Sequence, residues 1–319
     1  MTRAVSPTSS PTSSPTSSPS SSPVSVRVPA KINLHLGVGA PRDDGFHPLM
    51  TVFHAVDLHD EVTVSPAEAW SVEVTGDGAV DIAGVPTDDS NLAVRAGRAL
   101  AAHHGLDTVA RIGIRKGIPV AGGMAGGSGD GAATLVALDR LWGTDSGDRV
   151  LFDLAARLGS DVPFGLVGRN ALGTGRGERV EQLPGVEVAR WWVVVPAPGE
   201  GLSTAAVYRR HDELRPSAPV SPPAPHRLVE FLGDPADAVA PLLHNDLQPA
   251  ALDLRPALGD LLAAGEAAGA LRGLVSGSGP TCVFLCVDEP AASRVAETLR
   301  RSHPLVLVAS GPVAGALGR

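Results

Sequence analysis

The stretch Pro119-Val-Ala-Gly-Gly-Met-Ala-Gly-Gly-Ser-Gly-Asp-Gly-Ala-Ala133 decides the reading of this chain, because it sets six glycines directly before a helix-forming apolar run, Ala132 to Leu141. Glycine permits positive φ and lets backbone N–H groups approach an anion, while the following helix adds unpaired N–H groups and the positive end of its dipole. A phosphate cradle is the expectation. The stretch lacks the Gly-Lys-Ser/Thr ending of a Walker loop and the Gly-x-Gly-x-x-Gly spacing of a dinucleotide fold, so neither architecture follows from it. A flexible linker is the other reading, and direct passage into an apolar helix disfavours it.

Outward from this loop, the 319 residues are 43% hydrophobic, enough for an enzyme-sized globular protein of about two domains. A formal net charge of -8 offers no basic field to a nucleic acid or an acidic membrane. Apolar runs such as Trp191 to Val195 and Leu305 to Ala309 fall far short of the ~20 residues of a membrane-spanning helix. Cys282 and Cys286 share one apolar run that reads as a buried strand, so neither a disulfide framework nor a zinc site is expected. The ten histidines show no metal-ligand spacing. Residues 1–23 form a Ser/Pro/Thr-rich tail that cannot bury enough apolar surface to order, and it has neither the apolar core of a signal peptide nor the distributed arginines of a transit peptide. A cytoplasmic location follows as the expectation. Lys31 and Lys116 are the only lysines, and a compact ammonium with an adjustable pKa suits a phosphate or an activated hydroxyl.

Strands are expected from Val24 to Leu36, interrupted at Pro29, with Lys31 and Asn33 on one side. A polar tip, Pro41 to Pro48, leads to strands at Leu49 to Val56 and Glu61 to Val64. Ser90 to His104 reads as a helix capped by Asp89 or Ser90 and closed by Gly105. A strand at Ala110 to Ile114 enters the glycine loop, and a helix at Leu151 to Leu158 runs into Ser160-Asp161, where either residue is a possible cap for a further helix. The last hundred residues read helix (Pro256 to Leu271), strand (Leu274 to Ser276), strand (Cys282 to Val287), helix (Pro290 to Arg301), strand (Leu305 to Ala309), the tail of a ferredoxin-like layout. The fold class expected is α+β, with two lobes and a cleft: 24–175 as the nucleotide lobe and 176–319 as the substrate lobe.

Four motifs now stand together: Pro-Ala-Lys-Ile-Asn-Leu at 29–34, Asp-Gly-Phe-His at 44–47, Gly-Ser-Asp-Val-Pro at 159–163 and Ser-Gly-Ser-Gly-Pro-Thr-Cys at 276–282. With the glycine loop, they resemble the GHMP small-molecule kinase superfamily, and within it the branch acting on 4-diphosphocytidyl-2-C-methyl-D-erythritol. The resemblance runs from about Val26 to the C-terminus. It implies a two-lobed fold, with an N-terminal lobe of the ribosomal-protein-S5-domain-2 type and a ferredoxin-like C-terminal lobe. It implies ATP and Mg2+ as cofactors and phosphorylation of the 2-hydroxyl of that substrate. Asp161 matches the catalytic aspartate that would accept the hydroxyl proton, and Lys31 the lysine that would hold the hydroxyl and γ-phosphate. As residue types alone, Asp161 is also a possible helix cap and Lys31 a snorkelling strand lysine.

The resemblance further implies that Pro119, Val120, Ala121, Gly122, Gly123, Met124, Ala125, Gly126, Gly127, Ser128 and Gly129 wrap the ATP phosphates, with Asn91 and Lys116 nearby. Asn33, Phe46, His47, Thr204 and Tyr208 would meet the substrate, His47 at the cytosine edge and the two aromatics on its faces. Relatives often carry Ser-Ser-Asn or Ser-Ala-Asp where this chain has Ser128-Gly129-Asp130. A mevalonate- or homoserine-type kinase is the rival within the superfamily, and the Asp-Gly-Phe-His tip argues against it. A nucleotide-binding regulator without turnover is a third reading, disfavoured by the presence of both Lys31 and Asp161.

Overall fold

The computed structural model describes residues 22–76, 78, 80–120, 122–183, 188–197 and 201–318. The tail expected at 1–23 lies outside these apart from Ser22 and Pro23, and Ala121 lies outside them too.

Strands β1 (Val24–Val38) and β2 (Leu49–Pro66) form the spine of the first sheet, paired antiparallel from Val24↔Val64 to Val38↔Leu49. Of the one or two strands expected here, one continuous strand forms, and Pro29 marks a register shift inside it, between Pro29 and Ala30, where a residue without an N–H is tolerated. There follow β3 (Ser71–Gly76), α1 (Leu92–His104), β4 (Ala110–Lys116), α2 (Gly126–Trp142), α3 (Asp148–Leu158), α4 (Val162–Val167), β5 (Asn170–Thr174) and β6 (Arg179–Gln182). β4 pairs antiparallel with β2 and parallel with β3, and β5 joins β2 to β6. Helices α1, α2 and α3 close one apolar core against this sheet through residues such as Leu100, Leu135 and Leu154 over Val28, Val62 and Ile112.

Helix α1 ends as read, with Gly105 left-handed at φ 63. Its start differs by one residue. Asp88 folds back on the Ser90 N–H (2.9 Å), so the cap is Asn91, whose Oδ1 accepts from the Ala93 N–H at 2.9 Å.

The second half of the chain contains β7 (Arg190–Val195), α5 (Thr204–Leu214), α6 (His226–Glu230), α7 (Ala236–Val239), β8 (His244–Asn245), α8 (Gln248–Leu254), α9 (Ala257–Ala267), β9 (Arg272–Val275), β10 (Cys282–Cys286), α10 (Glu289–Leu299) and β11 (Leu307–Gly311). Its sheet runs β11-β7-β10-β9 with every pair antiparallel, the strand order of a ferredoxin-like lobe. Cys282 and Cys286 are buried in β10, unpaired, and burial pushes both thiols up to about 12. A core role suits them. Among the described residues no helix is long and apolar enough to cross a membrane.

Two features tie the halves. The expected division at 175/176 falls inside the β5–β6 hairpin, and β8 pairs in parallel with β1 through His35↔His244 and Leu36↔Asn245. Both extend the first sheet, because an open strand edge inside the fold must find partners. Between the sheets lies a shared apolar layer in which Ile32, Leu34 and Val52 join Trp192, Val194, Val283 and Leu285. The residues after β11 then return to the first lobe. The Arg169 N–H donates to Val313 O (2.6 Å), the Ala316 N–H to Gly165 O (2.8 Å) and the Leu317 N–H to Leu166 O (3.2 Å), strapping α4 in place.

Candidate active site

A cavity of about 1170 Å³ opens between the lobes. That exceeds the roughly 1,000 Å³ at the upper end for one small ligand, so two substrates have room. Lys31 and Asp161 meet on its wall with Lys31 Nζ 3.6 Å from Asp161 Oδ2, although they are far apart in the sequence. The strand holds the lysine rigidly. Its Nζ donates to Asn33 Oδ1 (2.9 Å) and lies 5.7 Å from the centre of the Phe53 ring. The Asn33 Nδ2 in turn donates to Thr51 Oγ1 (2.8 Å), and that hydroxyl to His35 O (2.7 Å). Lys31 is therefore no snorkelling surface lysine; its side chain is only 6% exposed.

Asp161 occupies the N-cap position of α4, yet its side chain makes no capping hydrogen bond. With its side chain 35% exposed, the carboxylate faces the cavity and Lys31. A plain structural cap would show the reverse.

The glycine stretch crosses the cavity beside this pair. Helix α2 begins at Gly126, ahead of the apolar run Ala132 to Leu141, so the second half of the glycine stretch forms its first turns. Ala125 at the N-cap is left-handed (φ 59) with no side-chain cap, and the first bond closing this end is from the Gly129 N–H to Ala125 O at 2.8 Å. The N–H groups of Gly126, Gly127 and Ser128 thus precede any intrahelical donor and border the cavity. Only Gly123 needs its backbone freedom (φ +76), and a Cβ there would overlap Ser276 O. Two others serve close approach: a Cβ on Gly129 would lie 3.2 Å from Val28, and one on Gly131 3.2 Å from Leu92. The Ser-Gly-Ser-Gly-Pro-Thr-Cys motif at 276–282 closes the site from the other lobe. Asn245 Nδ2 donates to Val275 O (2.8 Å) and Gly277 O (2.7 Å), and Ser276 Oγ to Gly123 O (3.2 Å).

Not every expected nucleotide contact borders the cavity. Pro119, Gly122, Gly123, Ala125, Gly126, Gly127, Ser128 and Asn91 do; Val120, Met124, Gly129 and Lys116 do not. Met124 is buried in the apolar layer between the sheets, and Gly129 faces β1. Asn91 has both ends of its amide engaged, the oxygen in the α1 cap and the nitrogen on Pro86 O (2.6 Å). Lys116, expected at the nucleotide, is instead buried beneath the start of α2. There it donates to Asp60 Oδ2 and to Asp130 Oδ2 (2.7 Å), with all three side chains 3% exposed or less. Asp60 also accepts from the Gly117 and Ile118 N–H groups at 2.8 and 2.9 Å. Burial raises the Asp130 carboxyl well above the usual carboxylate range, and the Asp60 charge adds to this, while Lys116 opposes it. Two carboxylates buried this deeply require a cation.

On the opposite wall, Asn33, Phe46, His47, Thr204 and Tyr208 all border the cavity. Helix α5, capped by Ser203, brings Thr204 within 3.0 Å of Ser278 Oγ and packs the Tyr208 ring 4.9 Å from that of His47. Burial raises the Tyr208 hydroxyl pKa. Phe46 is 48% exposed at the rim, with the Arg176 guanidinium 4.9 Å from its ring centre.

The residues that compose this site have known counterparts. A model of the GHMP kinase N-terminal domain matches residues 91–169, and one of the GHMP kinase C-terminal region matches residues 228–305. A 4-diphosphocytidyl-2-C-methyl-D-erythritol kinase of a Nocardioides species is 57% identical over 293 residues, covering 91% of this chain and 98% of its own. The corresponding kinase of Thermobifida fusca is 52% identical over 300 residues, covering 91% and 96%. The chain belongs to the 4-diphosphocytidyl-2-C-methyl-D-erythritol kinase family. A crystal structure of 4-(cytidine 5'-diphospho)-2C-methyl-D-erythritol kinase superimposes with a TM-score of 0.73 at 32% identity, covering 90% of this chain and 98% of that one. A homoserine kinase from Cytophaga hutchinsonii (TM-score 0.65, 18% identity, covering 93% and 96%) shares the fold. As a family member, this chain is an ATP-dependent small-molecule kinase of the GHMP type.

Three charged residues of the family member's cavity went unread in the sequence: Arg176, Arg209 and Asp212. Asp212 was within reach, since it lies one helical turn beyond Tyr208 on a helix announced by Ser203-Thr204. Arg176 stands between two glycines, Gly175 and Gly177, whose turn carries no side-chain pattern to mark it.

Proposed function

We propose that this chain transfers the γ-phosphoryl group of ATP to the 2-hydroxyl of 4-diphosphocytidyl-2-C-methyl-D-erythritol, with Asp161 as general base and Lys31 orienting the reacting groups. The observation that carries this is the 3.6 Å approach of Lys31 to Asp161 in a cavity bordered by the N-terminus of α2. Phosphoryl transfer demands an oriented hydroxyl, positive charge at the equatorial oxygens and a cradle for the leaving diphosphate. Asp161 takes the hydroxyl proton as the new O–P bond forms and the bond between the γ-phosphorus and the bridging oxygen breaks, releasing ADP. Lys31, held by Asn33 and Phe53, cannot swing to solvent, so its charge is present where negative charge collects. The N–H groups of Gly126, Gly127 and Ser128 face the diphosphate.

A divalent cation belongs to this reading. Among the described residues no group of three or more His, Cys, Asp or Glu is set to hold a metal by itself. The cavity nonetheless offers hard oxygen donors in Ser128, Asp161 and Asp130, whose Oδ1 is buried without a partner, and these suit Mg2+ arriving on the phosphates. When bound, the ion neutralises phosphate charge. On the substrate side, Phe46 and Tyr208 offer aromatic faces and His47 a polar edge for the cytosine ring. Beneath α2, Lys116 supports the nucleotide-binding backbone from below. In this reading residues 24–175 hold ATP and 176–319 complete the substrate wall through Thr204 and Tyr208, with a cytoplasmic setting for the pathway.

The test is ADP release measured with the cytidyl substrate beside mevalonate, homoserine and galactose. Turnover confined to the cytidyl substrate is expected. Equal or faster turnover of one of the others would overturn the substrate assignment.

A further inference from the structure

His47 is held at two points by one helix. Tyr208 and Asp212 are four residues apart on α5, so they lie on one face of it. The Tyr208 ring packs on the imidazole, centroids 4.9 Å apart and planes at 36°, while Asp212 Oδ1 lies 2.9 Å from His47 Nε2. All three border the cavity, and His47 is only 8% exposed. Among the described residues the contact with Asp212 is the only hydrogen bond of that ring.

An ionised carboxylate only accepts hydrogen bonds, so Nε2 must carry the proton in this pair. In the neutral imidazole Nδ1 is then a bare acceptor. Cytosine presents an exocyclic amino donor where uracil presents a carbonyl acceptor. A ring fixed as acceptor matches the first and sets two lone pairs against each other with the second.

We infer that Asp212 is a positioning residue that locks the proton of His47 onto Nε2, and that the cavity selects a cytosine over a uracil base by this means. The inference rests on the proposed cytidyl substrate. It gives the acidic residue a role distinct from catalysis: Asp212 acts through His47 and leaves Lys31 and Asp161 untouched. Without it the imidazole is free to adopt the other tautomer, which donates from Nδ1 to a uracil carbonyl.

The experiment compares the full chain with Asp212→Asn and Asp212→Ala. The dissociation constants of cytidine 5'-diphosphate and uridine 5'-diphosphate are measured by titration calorimetry with the ATP site filled by a non-hydrolysable ATP analogue. Steady-state ADP release with the cytidyl substrate is measured alongside. A preference of the wild type for the cytidine compound is expected to shrink by about 10-fold in both variants, the scale of one misplaced hydrogen bond. KM for the cytidyl substrate rises correspondingly, with kcat and KM for ATP within about twofold of wild type. An unchanged ratio, or a parallel loss of affinity for both diphosphates, would overturn the inference, since a merely structural role weakens both alike. Failure of the wild type to turn over the cytidyl substrate would instead overturn the functional reading beneath it.

Discussion

Replacing Lys116 by methionine removes the one cation between Asp60 and Asp130 and leaves the volume nearly filled. Both carboxylates are buried, Asp60 with its side chain 0% and Asp130 3% exposed. Breaking a buried ion pair from one side costs about 3–5 kcal/mol, because the remaining charge is left in a poor solvent. The two acids respond differently. Asp60 keeps the N–H groups of Gly117 and Ile118 as hydrogen-bond donors. Asp130 loses its only stabilising charge, and with burial and Asp60 both pushing its pKa upward it takes a proton near neutrality. Protonation caps the cost near the lower end, about 3 kcal/mol.

The sign of the pH dependence follows. An acid whose folded pKa lies above its unfolded value binds more protons when folded, so stability falls as pH rises. The deficit of Lys116→Met is therefore largest at about pH 8 and shrinks toward about pH 5.5. Urea denaturation at both values measures it, and Lys116→Met combined with Asp130→Asn is expected to recover much of the loss. A deficit under about 1 kcal/mol at the higher pH, or no recovery in the double variant, would refute the buried-charge argument.

Asp161→Asn is expected to lower kcat by about 10²–10⁴ with KM for ATP nearly unchanged, as loss of a general base does; steady-state and single-turnover ADP release decide it, and near-normal turnover would remove Asp161 from its role. His54 donates from Nδ1 to Asn170 Oδ1 at 2.7 Å, and burial lowers its pKa from 6.5 to about 4. A base with a depressed folded pKa gives stability that is present above about pH 6.5 and lost as pH falls toward about 4, at most roughly 3 kcal/mol; urea denaturation across that window should show a shallower slope in His54→Gln. Gly265→Ala would drive a methyl into the buried Phe284 ring across the α9–β10 contact and is expected to cost about 1–3 kcal/mol, read as a lower urea midpoint.

The elements of the ferredoxin-like lobe were legible because each carries a local signal. Gly269 and Pro290 punctuate the apolar runs of Arg272–Val275 and Cys282–Cys286, and Asp288 caps α10 by accepting from the Ala291 N–H at 2.7 Å. The meeting of Lys31 and Asp161 was legible only through family resemblance, since nothing local to either residue encodes a contact across the fold. What stayed hidden was tertiary. The two residues of β8 have no periodicity to read, and their strand character comes wholly from pairing with β1. Lys116 resembles a nucleotide ligand by type and position, and only packing reveals Asp60 and Asp130 around it. Gly126, Gly127, Gly129 and Gly131 are poor helix formers yet all belong to α2, where Gly129 and Gly131 fit closely against Val28 and Leu92.

The strap formed by residues 313–317 has a consequence for biogenesis. It hydrogen-bonds the short helix behind Asp161, so that residue has its final backing only once residues 313–317 have docked. During translation the nucleotide lobe emerges early yet waits, unfinished, for a segment made after the whole other lobe. The backing of Asp161 is thereby coupled to synthesis past residue 317: a nascent polypeptide that stops short of it would present the glycine stretch beside an unsecured acid.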